Sequence, residues 1–157
     1  MERAAEFGVD LTLDAVSTGA DERVAAIRDA TDGRGVDILL DCSGVPVTFT
    51  EALRMVRTGG VVVEAGAFVD MGPVHINPNS DLVTRNVSVL GIGGEKATDY
   101  EPSMRLMLAN LDRSPLRKIV SHILPLDRAT EAVMLAQSGS AMQVALDPRL
   151  PLGSARP

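Results

Sequence analysis

Two apolar runs bounded by glycine constrain this fold more than any other feature: residues 36–40 in GRGVDILLDCSG and residues 61–65 in GGVVVEAGAF. A strand with one face in water alternates apolar and polar residues, whereas a near-continuous apolar run predicts a strand buried on both faces, as in a parallel sheet covered by helices. The residues between them predict a helix. Pro46 stands at a first helical position, Phe49, Leu53 and Val56 fall on one face, and Gly59 and Gly60 mark its expected end.

The same alternation extends both ways. Glu2 to Phe7 are helix formers that stop at Gly8, and Leu11 and Leu13 then alternate with Thr12 and Asp14 as in a strand. So short a helix needs a packing partner, which makes the start of the chain read as the middle of something longer, with Met1 a truncation or a misplaced start. Thr18 and Asp21 predict a capped amphipathic helix carrying Val24 and Ile27, with Gly33 past its end. After Gly66 an irregular segment leaves room for a short strand at 74–76, and residues 86–90 predict another strand, closed by GIGG.

Farther on, Pro102 predicts a helix start, with Met104, Met107, Leu108 and Leu111 read as core. A strand at 119–124, a helix capped by Asp127 that packs through Ala129, Ala132, Val133 and Ala136, and a last strand at 142–146 follow. The segment from Asp147 onward carries three prolines and reads as an exposed or disordered tail. Strands alternating with helices give an α/β fold with a mainly parallel sheet.

Composition removes several function classes. A net charge of −6, three Phe, one Tyr and no Trp provide neither a basic footprint nor stacking platforms for nucleic acid. No apolar stretch of membrane-spanning length and no signal-like leader is read, so the expected location is the cytoplasm. Cys42 is the only cysteine, which excludes an internal disulfide and is compatible with a reducing compartment.

In open α/β sheets the ligand sits outside the carboxyl ends of the strands. Here three strand ends are small: Cys42-Ser43-Gly44, Ala65-Gly66-Ala67 and Gly91-Ile92-Gly93-Gly94. Small residues let a flat ligand lie against the backbone, although any single glycine is read as a strand terminator first. The dinucleotide fingerprint G-x-G-x-x-G and its following acidic residue are not found, and GIGGEK, with Glu95 after its glycines, reads as a turn. His75 and His122 lack metal-ligand spacing. Cys42 reads as a buried structural thiol, Asp41 as a turn residue or a ribose partner, and Arg54 and Arg57 as part of a solvated helix face. Ser43-Gly44 lacks the first glycine of a hydrolase elbow.

GRGVDILLDCSG, RMVRTGGVVVEAGAF, NVSVLGIGG and LPLDRATEAVMLAQSGSAMQVALDP resemble successive segments of the zinc-type, medium-chain alcohol and polyol dehydrogenases. The resemblance implies that residues 1–92 are the second half of a nicotinamide-binding Rossmann domain that lacks its first two strands. It assigns residues 93–148 to the C-terminal segment of the catalytic domain and leaves 149–157 as a tail.

It also implies cofactor contacts. Ser43 and Gly44 match the adenosine and ribose side, Ala65, Gly66 and Ala67 match backbone beside the nicotinamide, and Ile92 and Gly93 match the crossover that touches the same end. PVHINP at 73–78 falls where the family pairs edge strands in its dimer. In this family the zinc ligands and the proton relay precede the Rossmann glycines, so the chain alone is expected to be inactive. The choice between NAD and NADP also lies in that earlier part. The alternative is a non-catalytic module that dimerises or binds a nucleotide weakly.

Overall fold

The computed structural model describes residues 2–94, 96–112 and 115–153; the expectations for Met1, Glu95 and the last tail residues, 154–157, fall outside them. The chain divides into two units, Leu11–Lys96 and Glu2–Asp10 with the residues from Ala97 onward.

The first unit holds helix α2 (Ala20–Asp29), strand β1 (Val36–Asp41), helix α3 (Pro46–Met55) and strand β2 (Val56–Glu64). A π-helical turn (Pro78–Val83) and strand β3 (Ser88–Gly91) complete it. The strands form a parallel sheet in the order β1-β2-β3, with Leu39 opposite Val62 and Val62 opposite Val89. Pro46 sits in the first turn of α3 as its fixed backbone angle favours, after Val45 in an extended conformation. Ala52 and Leu53 on α3 pack against Val56 and Val62 of β2 in the buried core, with Leu39, Phe49, Leu82 and Val87 around them. Burying a Leu or Val side chain contributes roughly 1.5–3 kcal/mol, so this cluster anchors the unit. The guanidinium of Arg85 donates to the carbonyls of Leu53 and Val56, satisfying groups that the end of α3 leaves open.

Arg23 on α2 forms a half-buried ion pair with Glu51 on α3 at 2.7 Å and also donates to the Thr18 carbonyl. Helix α2 is capped differently from the expectation: Gly19, not Thr18, is the cap, and its N–H donates to Glu22 three residues on. Thr18 instead donates its hydroxyl to the Asp14 carbonyl.

Several expected elements are absent or shifted. Residues 11–14 form no strand, and residues 74–76 are irregular. Helix α3 ends at Met55, and Gly59 and Gly60 lie inside β2, where the register to β1 shifts between Val36 and Ile38. Arg57 therefore belongs to a strand and pairs with Asp37, while Arg54 pairs with Asp21. Strand β3 starts at Ser88, because Asn86 takes a left-handed turn conformation that no strand continues through. Strand β1 is buried on one face only: Ile38 and Leu40 are 61% and 66% exposed.

The second unit contains helix α1 (Glu2–Glu6), helix α4 (Ala97–Ala109), strand β4 (Val120–Leu124), helix α5 (Ala129–Gln137) and strand β5 (Gln143–Leu146). Strands β4 and β5 pair in parallel. Helix α4 begins five residues before Pro102, which sits inside it. Its Met104, Met107 and Leu108, expected in a core, are all more than half exposed. Asp127 lies in a 3-10 turn (Leu126–Arg128) ahead of α5, whose cap is Arg128, and accepts from the Gly153 N–H. On α5 Ala132 is buried while Val133 is exposed. Leu150 is buried as well, so the tail is not uniformly exposed.

Candidate functional site at the strand ends

The carboxyl ends of β1, β2 and β3 are joined by continuing backbone bonds: the Ala65 N–H donates to the Asp41 carbonyl and the Ile92 N–H to the Glu64 carbonyl, each at 2.9 Å. The sheet thus brings the three small strand ends side by side.

At the first end Asp41 is buried and accepts from the Ser43 N–H at 3.0 Å and the Thr48 hydroxyl at 2.5 Å. Burial pushes its carboxyl up, but the hydrogen bonds from Thr48 and Ser43 outweigh it and hold the group below the usual aspartate range. Of its two readings, the turn role is the one the geometry displays. Ser43 Oγ lies 2.6 Å from Thr48 Oγ1 and accepts from the Val45 N–H. Cys42, expected to be buried, is exposed, because it follows the last ladder residue of an edge strand.

At the second end the Glu64 carboxylate accepts from the N–H groups of both Gly66 and Ala67, at 2.9 and 3.0 Å. Gly66 has little free space: a Cβ there would stand 2.5 Å from the Gly44 nitrogen. Gly44 lies in the left-handed region at φ +70°, and a Cβ on it would meet the Gly66 carbonyl oxygen at 3.0 Å. These two glycines are small because the loops pack on each other. Gly91, Gly93 and Gly94 at the third end have nothing within 4 Å of a notional Cβ, so that end is open.

A cavity of about 440 Å³ opens beside these ends. Gly44 and Ala67, two of the seven expected cofactor residues, line it together with Gly91. Its walls also include Phe49, Met71, Val74 and Val89, together with the carboxylates Glu64 and Asp70. Ser43 faces a separate groove along β1 with Asp41, Cys42 and Thr48. Ala65, Gly66, Ile92 and Gly93 are near in sequence to the cavity wall but are not part of it. Glu64 was the residue missed; its signal was an acid ending an otherwise apolar strand in VVVEAG.

The expected edge strand PVHINP forms no strand; Pro78 instead opens the π-helical turn, with the Asn77 side chain accepting from the Asn79 N–H. His75 is exposed, and His122 Nδ1 lies 2.9 Å from the hydroxyl of its neighbour Ser121. Among the described residues no group of three or more His, Cys, Asp or Glu could hold a metal ion, so a zinc centre does not fit them. No described helix is long and apolar enough to cross a membrane.

Residues 1–109 match the family model described as zinc-binding dehydrogenase. The chain belongs to the zinc-binding dehydrogenase family. Similar members include a sorbitol dehydrogenase from Halalkalibacterium halodurans, 26% identical over 148 residues, which cover 94% of this chain and 41% of that protein. A 5-exo-hydroxycamphor dehydrogenase from Pseudomonas putida is 25% identical over 150 residues, covering 96% of this chain and 41% of its own. Among solved structures, an alcohol dehydrogenase from Thermotoga maritima superposes with a TM-score of 0.84 at 33% identity, over 92% of this chain and 39% of its own. The chain thus spans about two fifths of the length of the zinc-binding dehydrogenases it matches. The α/β architecture with a parallel sheet is that of these dehydrogenases.

Proposed function

We propose that this chain supplies the nicotinamide-side loops of an NAD- or NADP-linked alcohol or polyol dehydrogenase, and that residues 1–157 are inactive by themselves. The observation that carries this reading is the state of the loop amides. A cradle for pyrophosphate needs free N–H groups. Here the N–H groups of Ser43, Gly66 and Ala67 are held by Asp41 and Glu64, while most of the side chains that wall the cavity are apolar. Such walls suit a ring, and the phosphates would be held by residues outside this chain.

A bound nicotinamide supplies the hydride acceptor or donor. The chain's own part is to fix the loops against one another and to exclude water from the ring with Phe49, Val74 and Val89. Gly93, in open space, leaves room for the cofactor beside β3. Zinc would be bound by another part of the enzyme, since the described residues offer no ligand cluster.

Residues 1–157, supplied with NAD or NADP, added zinc and a panel of alcohols and polyols, should give no alcohol-dependent rise in reduced cofactor. Robust turnover would overturn the reading. Self-association through residues 73–78 belongs to the same proposal, supported by the exposed Met71 and Ile76 around that segment; sedimentation of Ile76→Asp beside the unaltered chain tests it. The cytoplasm remains the proposed compartment, since an exposed thiol such as Cys42 persists in a reducing one.

A further inference from the structure

Strand β1 stands first in its three-stranded sheet, and among the described residues no strand pairs with its other side. The Asp41 carbonyl accepts from the Ala65 N–H at the end of β2, and backbone direction alternates along a strand. Residues 37, 39 and 41 therefore aim their backbone groups at β2, and Val36, Ile38 and Leu40 aim theirs at the open side. The same alternation turns the Ile38 and Leu40 side chains outward, where both are exposed. A strand added here must offer backbone partners to residues 36, 38 and 40, set apolar side chains beside Ile38 and Leu40, and keep carboxylates from facing Asp37.

We infer that β1 is a self-pairing surface: two copies of this chain join their β1 strands antiparallel, with Ile38 on the two-fold axis, into one six-stranded sheet. The charge pattern of VDILLD selects this register and points to a second copy as the partner. With Ile38 opposite Ile38, Val36 of each copy faces Leu40 of the other and Asp37 faces Leu39, so every opposed pair includes an apolar side chain and no carboxylate meets another. Asp37 is also balanced within its own copy by Arg34 and Arg57. Sliding the second strand by two residues one way sets Asp37 against Asp37; the other way sets it against Asp41. A slide by one residue turns the backbone groups of one strand away from those of its mate and brings the apolar outer row beside the inner one. Six residues per copy are fewer than the roughly 20–30 a side of a stable complex, so the dimer is reversible and grows with concentration. The inference goes beyond the cofactor reading and does not depend on it.

Residues 1–157 carrying Ile76→Asp test it, so that association through residues 73–78 cannot supply the signal. Sedimentation equilibrium over a concentration series should show a monomer passing to a dimer. Ile38→Lys, which sets two like charges against each other on the axis, should abolish that dimer. Cross-linking under a mild disulfide oxidant, with Cys42→Ser added, reads the register. The two Cα atoms at position 38 would stand about 5.5 Å apart, within disulfide reach, whereas the two at position 40 would be four residues out of step, about 13 Å apart. Ile38→Cys should therefore cross-link and Leu40→Cys should not. Both side chains are exposed, so neither change disturbs the core. A monomer at every concentration, a dimer that survives Ile38→Lys, or cross-linking at position 40 equal to or above that at position 38 overturns the inference.

Discussion

Gly66 and Gly44 pack backbone to backbone across two strand ends, so that a Cβ on Gly66 would stand 2.5 Å from the Gly44 nitrogen and 2.8 Å from that of Ser43. Neither backbone nitrogen is the yielding end of a flexible side chain. Gly66→Ala should therefore cost roughly 1–3 kcal/mol through overpacking. Gly93→Ala, in open space, should stay within about 0.5 kcal/mol of the parent. Urea unfolding of both variants checks the contrast, and equal losses would mean that the loops do not meet as described.

The ion pair between Arg23 and Glu51 joins α2 to α3 in a half-buried setting, whereas Arg54 and Asp21 pair in the open. Exposed pairs are worth little, so Arg54→Ala should change stability by less than about 1 kcal/mol. Arg23→Ala strands the buried Glu51 carboxylate and removes bonds to the loop before α2; its loss, measured by thermal melts, should be clearly the larger.

Acid should loosen the first strand end. The folded-state Asp41 is held below its ordinary value of 3.8, so its stabilising contribution is present above that value and disappears as pH falls through the depressed one. Asp41→Asn should flatten the pH dependence of unfolding below the ordinary aspartate value of 3.8. Denaturant midpoints at stepped pH measure it, and a slope identical to the parent's would sink the idea.

Helix α3, which packs over the inner face of β1, and the outer face of that strand give an opposed pair. Leu53→Ala removes a side chain from the core and should cost about 2–5 kcal/mol. Leu40→Ser alters an exposed side chain and should cost less than about 0.5 kcal/mol in residues 1–157. Guanidinium titration of the two variants decides between a one-sided and a two-sided burial of this strand.

The parallel sheet and α3 were legible because Pro46 and the glycine-bounded apolar runs encode them locally. The helix end was not, since Met55 passes straight into a strand and the sheet pairing of Val56 prevails over the glycines that follow. Sequence periodicity placed Met104 and Met107 on an apolar stripe, but such a stripe says only that a face is apolar, not that something covers it. At the site, smallness at Gly44 and Gly66 was visible while its reason was not: loop packing and ligand access leave the same residues in the sequence. Glu64 escaped because its role depends on two amides that only the folded turn aims at it.

Strand β1 ends the sheet, with one side of its backbone unladdered and Ile38 and Leu40 turned outward. Such a selvage invites another strand to add on, and here the deterrents are electrical: Asp37 on the strand, paired with Arg34 just ahead of it and with Arg57 of β2, and a net charge of −6 over the whole chain. Salt weakens deterrents of that kind while leaving apolar attraction intact. Raising the ionic strength should therefore favour strand addition at this edge.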